Sequence, residues 1–109
     1  MRRGDVVVVA AGGGFGGKPR PALVIQADEY PTPDTVLLAL FTSELDDART
    51  VRPLYDPTPA NGLQRPSELM ADLLITARRS KVANVVGRLS REELARADRV
   101  LLAVLGLAS

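Results

Sequence analysis

Few residues in this chain can do chemistry. With no histidine and no cysteine among 109 residues, it lacks the commonest metal ligand, any thiolate, and the side chain best suited to proton transfer near neutral pH. Catalysis would rest on arginine, hydroxyls, carboxylates and backbone groups. The sharpest candidate is Arg20 in Lys18-Pro19-Arg20-Pro21-Ala22-Leu23-Val24-Ile25-Gln26. Its guanidinium is always charged and presents a planar fork of donors that matches phosphate oxygens. The flanking prolines fix φ on both sides, so the fork sits on stiff backbone at the mouth of a strand. A hydroxyl pair, Thr42-Ser43, ends the next apolar run and can hold a phosphate oxygen beside it.

These residues need elements to position them. Val6–Ala10, Ala22–Gln26 and Thr35–Phe41 are short apolar, β-rich runs separated by Gly, Pro and Asp clusters, and read as strands. Thr50–Leu54 reads as a short edge strand, because Pro53 cannot donate to a ladder. Asp56 to Gly62 is a turn-rich loop in which Asn61-Gly62 supplies a positive φ. Ser67–Met70 and Val82–Leu89 read as further strands, with Asp72–Ser80 ambiguous between them. Ser90-Arg91-Glu92-Glu93 is a capping box. Leu94, Ala97, Leu101, Val104 and Leu105 follow at helical spacing, and Gly106 is a natural stop. The expected architecture is mainly β: one domain over residues 1–109, a small, strongly bent sheet or barrel closed by a C-terminal helix. The apolar share of 46% suits such a core.

No apolar run approaches a membrane span and none resembles a signal-peptide core, so the chain reads as cytoplasmic. A net charge of +1 does not announce a nucleic-acid binder, but its distribution is uneven. Residues 1–20 hold four bases and one acid, residues 27–47 six acids and no base, and residues 49–88 seven bases against three acids. If the two basic segments share a face they form a positive groove; otherwise they solvate strand edges and loops.

Gly12-Gly13-Gly14-Phe15-Gly16-Gly17-Lys18 matches two phosphate-binding patterns and satisfies neither. The dinucleotide fingerprint and the P-loop both need a helix N-terminus after the glycines, whereas here two prolines and a strand follow. A loop beside Arg20 is the better reading.

RNA is the substrate that such a residue set can attack without supplying a nucleophile, because its own 2′-hydroxyl lies next to the phosphorus. The protein must align the phosphate and stabilise charge on its oxygens, which Arg20, Thr42 and Ser43 can do. A base-assisted version needs a carboxylate such as Asp72, Glu44 or Asp28 within reach. Against this stand plainer roles: Arg20 as a surface cation paired with Asp5 or Asp28, Thr42-Ser43 as a loop cap, Asp72 as a turn residue.

The combination resembles the MazF/PemK (Kid) family of toxins from type II toxin–antitoxin systems. The likeness runs from Arg3-Gly4-Asp5-Val6-Val7 through Arg20-Pro21-x-Leu23-Val24-Ile25, Thr42-Ser43 and Asn61-Gly62-Leu63. It continues with Ser67, Met70 and Asp72 to Val86-Gly87-Arg88-Leu89-Ser90. It implies an SH3-like barrel working as a homodimer and a metal-independent endoribonuclease with no cofactor. Single-stranded RNA would be cut at short sequences, leaving a 2′,3′-cyclic phosphate and a 5′-hydroxyl. It also implies a cognate antitoxin whose acidic, apolar C-terminal segment covers the RNA groove. Arg20 and Thr42 take the catalytic positions, with RNA contacts from Lys18, Ser43, Asp72, Thr76 and Arg52. Where family members often carry Gln and a basic residue after Asp72, this chain has Leu73-Leu74-Ile75-Thr76. Arg52, Arg65, Arg78 and Arg79 are the cations left to replace that charge. The alternatives on the same barrel are a non-enzymatic inhibitor such as the gyrase poison CcdB, or a relative that binds RNA or antitoxin without cutting.

Overall fold

A computed structural model describes residues 1–10, 18–46 and 51–108. Six strands form one sheet: β1 (Asp5–Val9), β2 (Arg20–Val24), β3 (Thr35–Thr42), β4 (Leu54–Tyr55), β5 (Ser67–Arg78) and β6 (Val82–Arg88). A 3-10 turn (Arg79–Lys81) joins β5 to β6, and one helix, α1 (Arg91–Val104), follows. The strand order is β4-β5-β3-β2-β1-β6 and every pairing is antiparallel. The result is mainly β, a six-stranded sheet curled into a half-barrel with a C-terminal helix, as expected.

The sheet curls where its registers break. Between Ala39↔Leu74 and Phe41↔Leu69, β5 runs through extra residues opposite β3. Such a bulge bends and twists a strand. It falls on the boundary between Ser67–Met70 and the ambiguous Asp72–Ser80, which are one continuous strand. Period-2 alternation is lost at the bulge, which is why the sequence reads as two pieces. Asp72 lies at this bend, and Arg52 forks onto it with Nε to Oδ1 at 2.9 Å and Nη2 to Oδ2 at 3.3 Å. β4 begins at Leu54, after Pro53, because the proline has no N–H for the ladder; Thr50 and the glycine-loop patterns at 12–17 lie outside the described residues.

Apolar side chains bury on both faces of the curled sheet. One cluster joins Val6, Leu23, Ile25, Phe41, Tyr55 and Leu69 to Ala97 and Leu101 of α1; the other joins Val7, Val9, Ala22, Val24, Val36, Leu38 and Leu40. Ser90 caps the helix by accepting from the Glu93 N–H at 3.1 Å, while Glu93 Oε1 accepts from the Ser90 N–H at 2.9 Å. At the other end Gly106 adopts φ 73°, and its N–H donates to Ala103 while Leu107 N–H donates to Leu102. That is a Schellman stop. It turns Leu105 away from the core, where it is exposed, although its spacing placed it on the apolar face.

Tyr55 joins β4 to the helix. Its ring meets Phe41 edge-to-face at 6.0 Å, Arg96 lies over it at 4.3 Å, and its hydroxyl donates to the Glu93 carbonyl at 2.9 Å. Burial pushes the phenol up to about 12, with Arg96 and Arg99 opposing the rise and Glu93 and Asp98 adding to it. The unfolded chain therefore loses this proton first, near its ordinary pKa of about 10. The stability Tyr55 contributes is complete below that pH and falls as pH rises toward 12. Urea midpoints at pH 8 and 11 should fall further for wild type than for Tyr55→Phe; equal falls would show that the buried phenol does not control the loss.

Candidate nucleic-acid interface

The start of β2 and the end of β3 come together at one edge of the half-barrel. Ala22 pairs with Leu40, and the same antiparallel register two residues further brings Arg20 level with Thr42. Beside them opens a groove of about 610 Å³, lined by Val8, Lys18–Pro21, Phe41–Glu44, Gly62–Arg65, Ser67 and Val86. Three of its side chains are cations, Lys18, Arg20 and Arg65, against one acid, Glu44, so the groove suits an anion.

Arg20 is half-buried, and its Nε is a buried donor with no hydrogen-bond partner among the described residues. A buried N–H left unsatisfied is rare and costly, so this donor has capacity for a further acceptor. The surface ion pair weighed for Arg20 does not form. Asp5 accepts from Arg88 Nη1 at 2.8 Å and from the Arg2 N–H at 2.7 Å, while Asp28 accepts from the Arg3 N–H at 2.9 Å.

Thr42 is buried, and its Oγ1 accepts the Glu44 N–H at 3.1 Å. It does cap the turn after β3, as the plainer reading had it. Capping uses the oxygen as an acceptor and leaves the hydroxyl proton available to a phosphate oxygen. Behind this turn the buried Glu68 carboxylate accepts the Asp46 N–H at 3.1 and 3.2 Å, which fixes the path beyond Ser43.

Of the residues singled out in the sequence, Arg20, Thr42, Lys18 and Ser43 share the groove. Arg52, Asp72 and Thr76 do not line it. Arg52 and Asp72 bind each other at the bend of β5, and Thr76 is exposed further along that strand opposite Leu37. Of the three candidate carboxylates only Glu44 lines the groove, and of the four stand-in cations only Arg65. Arg78 and Arg79 lie by a separate hollow beside Pro33–Thr35.

Of the second wall, from Gly62 to Arg65, the sequence singled out Arg65 alone as a candidate contact. The wall is clamped at both ends. Asn61 is fully buried and its amide uses every valence: Oδ1 accepts from the Thr58 and Leu63 N–H groups, and Nδ2 donates to the Asp56 carbonyl and to Glu93 Oε2, each at 3.0 Å. Ser67 Oγ donates to the Arg65 carbonyl at 2.8 Å. Gly62, at φ 71°, packs directly on Val86-Gly87, where a Cβ on Gly62 would stand 2.3 Å from the Val86 carbonyl oxygen. The signal available was an isolated glycine inside the β6 pattern, which marks close backbone approach.

The fold is that of known toxins. A mycobacterial endoribonuclease solved in complex with its cognate antitoxin superposes with a TM-score of 0.82 at 17% identity, covering 100% of this chain and 98% of that one. The Mycobacterium tuberculosis toxin MazF-mt6 superposes with a TM-score of 0.79 at 18% identity, over 96% and 99%. These define a class, the MazF-like half-barrel. A sequence profile of the PemK-like, MazF-like toxins of type II toxin–antitoxin systems matches residues 2–105. The probable endoribonuclease MazF of Mycolicibacterium smegmatis is 44% identical over 108 residues, 99% of each chain. The chain belongs to this toxin family.

Proposed function

We propose that this protein is the RNA-cleaving toxin of a toxin–antitoxin pair, acting on single-stranded RNA without a metal ion or other cofactor. The observation that carries the reading is the unpartnered, buried Nε of Arg20 in a cationic groove shared with Thr42. The kinship to a probable MazF endoribonuclease supports it.

With a phosphodiester in the groove, the substrate 2′-oxygen forms a bond to phosphorus and the bond to the 5′-oxygen breaks. The products are a 2′,3′-cyclic phosphate and a 5′-hydroxyl. Negative charge builds on the non-bridging oxygens. Arg20 donates to them from its fork, and Thr42 donates its hydroxyl proton. Glu44, the acid lining the groove, is the candidate to take the 2′-proton, and the leaving 5′-oxygen gains a proton from water. Lys18 and Ser43 hold neighbouring phosphates.

The same reading makes residues 1–109 a single toxin domain in the cytoplasm, acting as a homodimer and held in check by an acidic, apolar segment of its antitoxin laid in the groove. Among the described residues no helix is long and apolar enough to cross a membrane. The test is cleavage of a long, mixed-sequence single-stranded RNA by purified protein in EDTA, with end-group analysis. Recurring cuts ending in cyclic phosphate support the reading. Binding without cutting would replace the nuclease with a binding-only toxin, and inhibited supercoiling without RNA products would replace it with a gyrase-type inhibitor.

A further inference from the structure

We propose that Gln64 and Arg65 form the base-reading wall of the groove and set which RNA sequence is cut. The proposal rests on the nuclease reading above and deepens it. Both residues line the groove and both are exposed. Neither side chain makes a hydrogen bond or ion pair among the described residues. Their backbone, in contrast, is tightly held. Asn61 locks the chain just before them through four bonds, Ser67 holds the Arg65 carbonyl just after them, and Gly62 seats the loop on β6. Fixed backbone carrying free polar tips suits recognition, because no backbone ordering entropy is lost on binding.

The chemistry of the two tips favours bases over phosphates. Gln64 is uncharged and gains nothing from neutralising phosphate, but its amide both donates and accepts, as a base edge does. Arg65 only donates, in a flat fork that fits paired acceptors such as O6 and N7 of guanine or stacks on a ring face. Arg20 and Thr42 already occupy the strand ends that face the phosphate. A nucleotide held there by its phosphate can extend its base toward the 62–65 wall, and unstacked single-stranded bases are read in this way.

The experiment maps cleavage sites on a randomised single-stranded RNA for wild type, Gln64→Ala, Arg65→Ala and Arg65→Lys, with thermal melting to verify folding. The alanine variants are expected to lose discrimination at one position next to the cut by about tenfold, within the range of one bidentate base contact. They should also cut sites that wild type ignores. Arg65→Lys is decisive, because it keeps the charge and loses the fork: a base reader changes its motif, whereas a phosphate contact keeps it. An unchanged motif in all three folded variants, with cutting weakened equally at every sequence, overturns the proposal. Failure of wild type to cut any RNA would instead overturn the nuclease reading itself.

Discussion

Arg20→Ala is expected to reduce RNA cleavage by at least about 10²- to 10³-fold, equivalent to roughly 2.7–4 kcal/mol of barrier for the loss of one well-placed donor to a developing oxyanion. The fold should survive, because the Arg20 Nε has no hydrogen-bond partner to abandon among the described residues. Deleting a donor that is already unsatisfied abandons no bond at Nε, so the melting temperature should stay close to that of wild type. Arg20→Lys separates charge from geometry. A lysine restores the cation without the planar fork and should recover only a fraction of the rate. The check is single-turnover cleavage of a short substrate containing the mapped motif, beside a melt. An alanine variant cutting at the wild-type rate would remove Arg20 from the mechanism, and a variant dead because unfolded would show in the melt.

A large effect on stability is expected at Gly87. A Cβ added there would lie 2.3 Å from the Asn61 carbonyl carbon and 2.4 Å from its oxygen, and both are backbone atoms held by a saturated network. No side-chain rotation can relieve that clash, so either β6 or the 58–63 loop must shift. Gly87→Ala should destabilise the protein by about 3 kcal/mol, the upper range for overpacking a well-fitted site. Gly106→Ala is the control. It has open space around it and only its φ of 73° to strain, so about 1 kcal/mol is expected. Denaturant melts of the two variants side by side decide the matter, and equal midpoints would mean that the loop and β6 separate easily.

Much of this fold lay in the sequence because its signals were local. The capping box at Ser90–Glu93, the Gly106 stop and the strand runs at 6–10, 22–26 and 35–41 each depend on residues within one element, and all appear within a residue or two. The continuity of β5 was hidden because a bulge breaks alternation where the strand bends, a feature set by its partner β3. The site divides in the same way. Arg20 and Thr42 were legible as rare chemistry on strand ends. Of the 62–65 wall only Arg65 was singled out, since the wall's placement depends on Asn61 reaching Glu93 thirty-two positions away and on two glycines meeting from different elements. The pairing of Arg52 with Asp72 was hidden for a related reason: it joins residues twenty positions apart across a bend that β3 sets.

The Glu93 carboxylate carries a further implication. One oxygen closes the cap of α1, and the other accepts from the Asn61 amide that sets the groove wall, while Val86 of β6 completes the lining. Arg20 and Thr42 leave the ribosome long before these parts do. A growing chain therefore displays Arg20 without a finished cleft around it, and the groove wall is complete only once the segment bearing Glu93 has emerged and coiled. The order of synthesis thus separates the arginine from the wall that completes its groove.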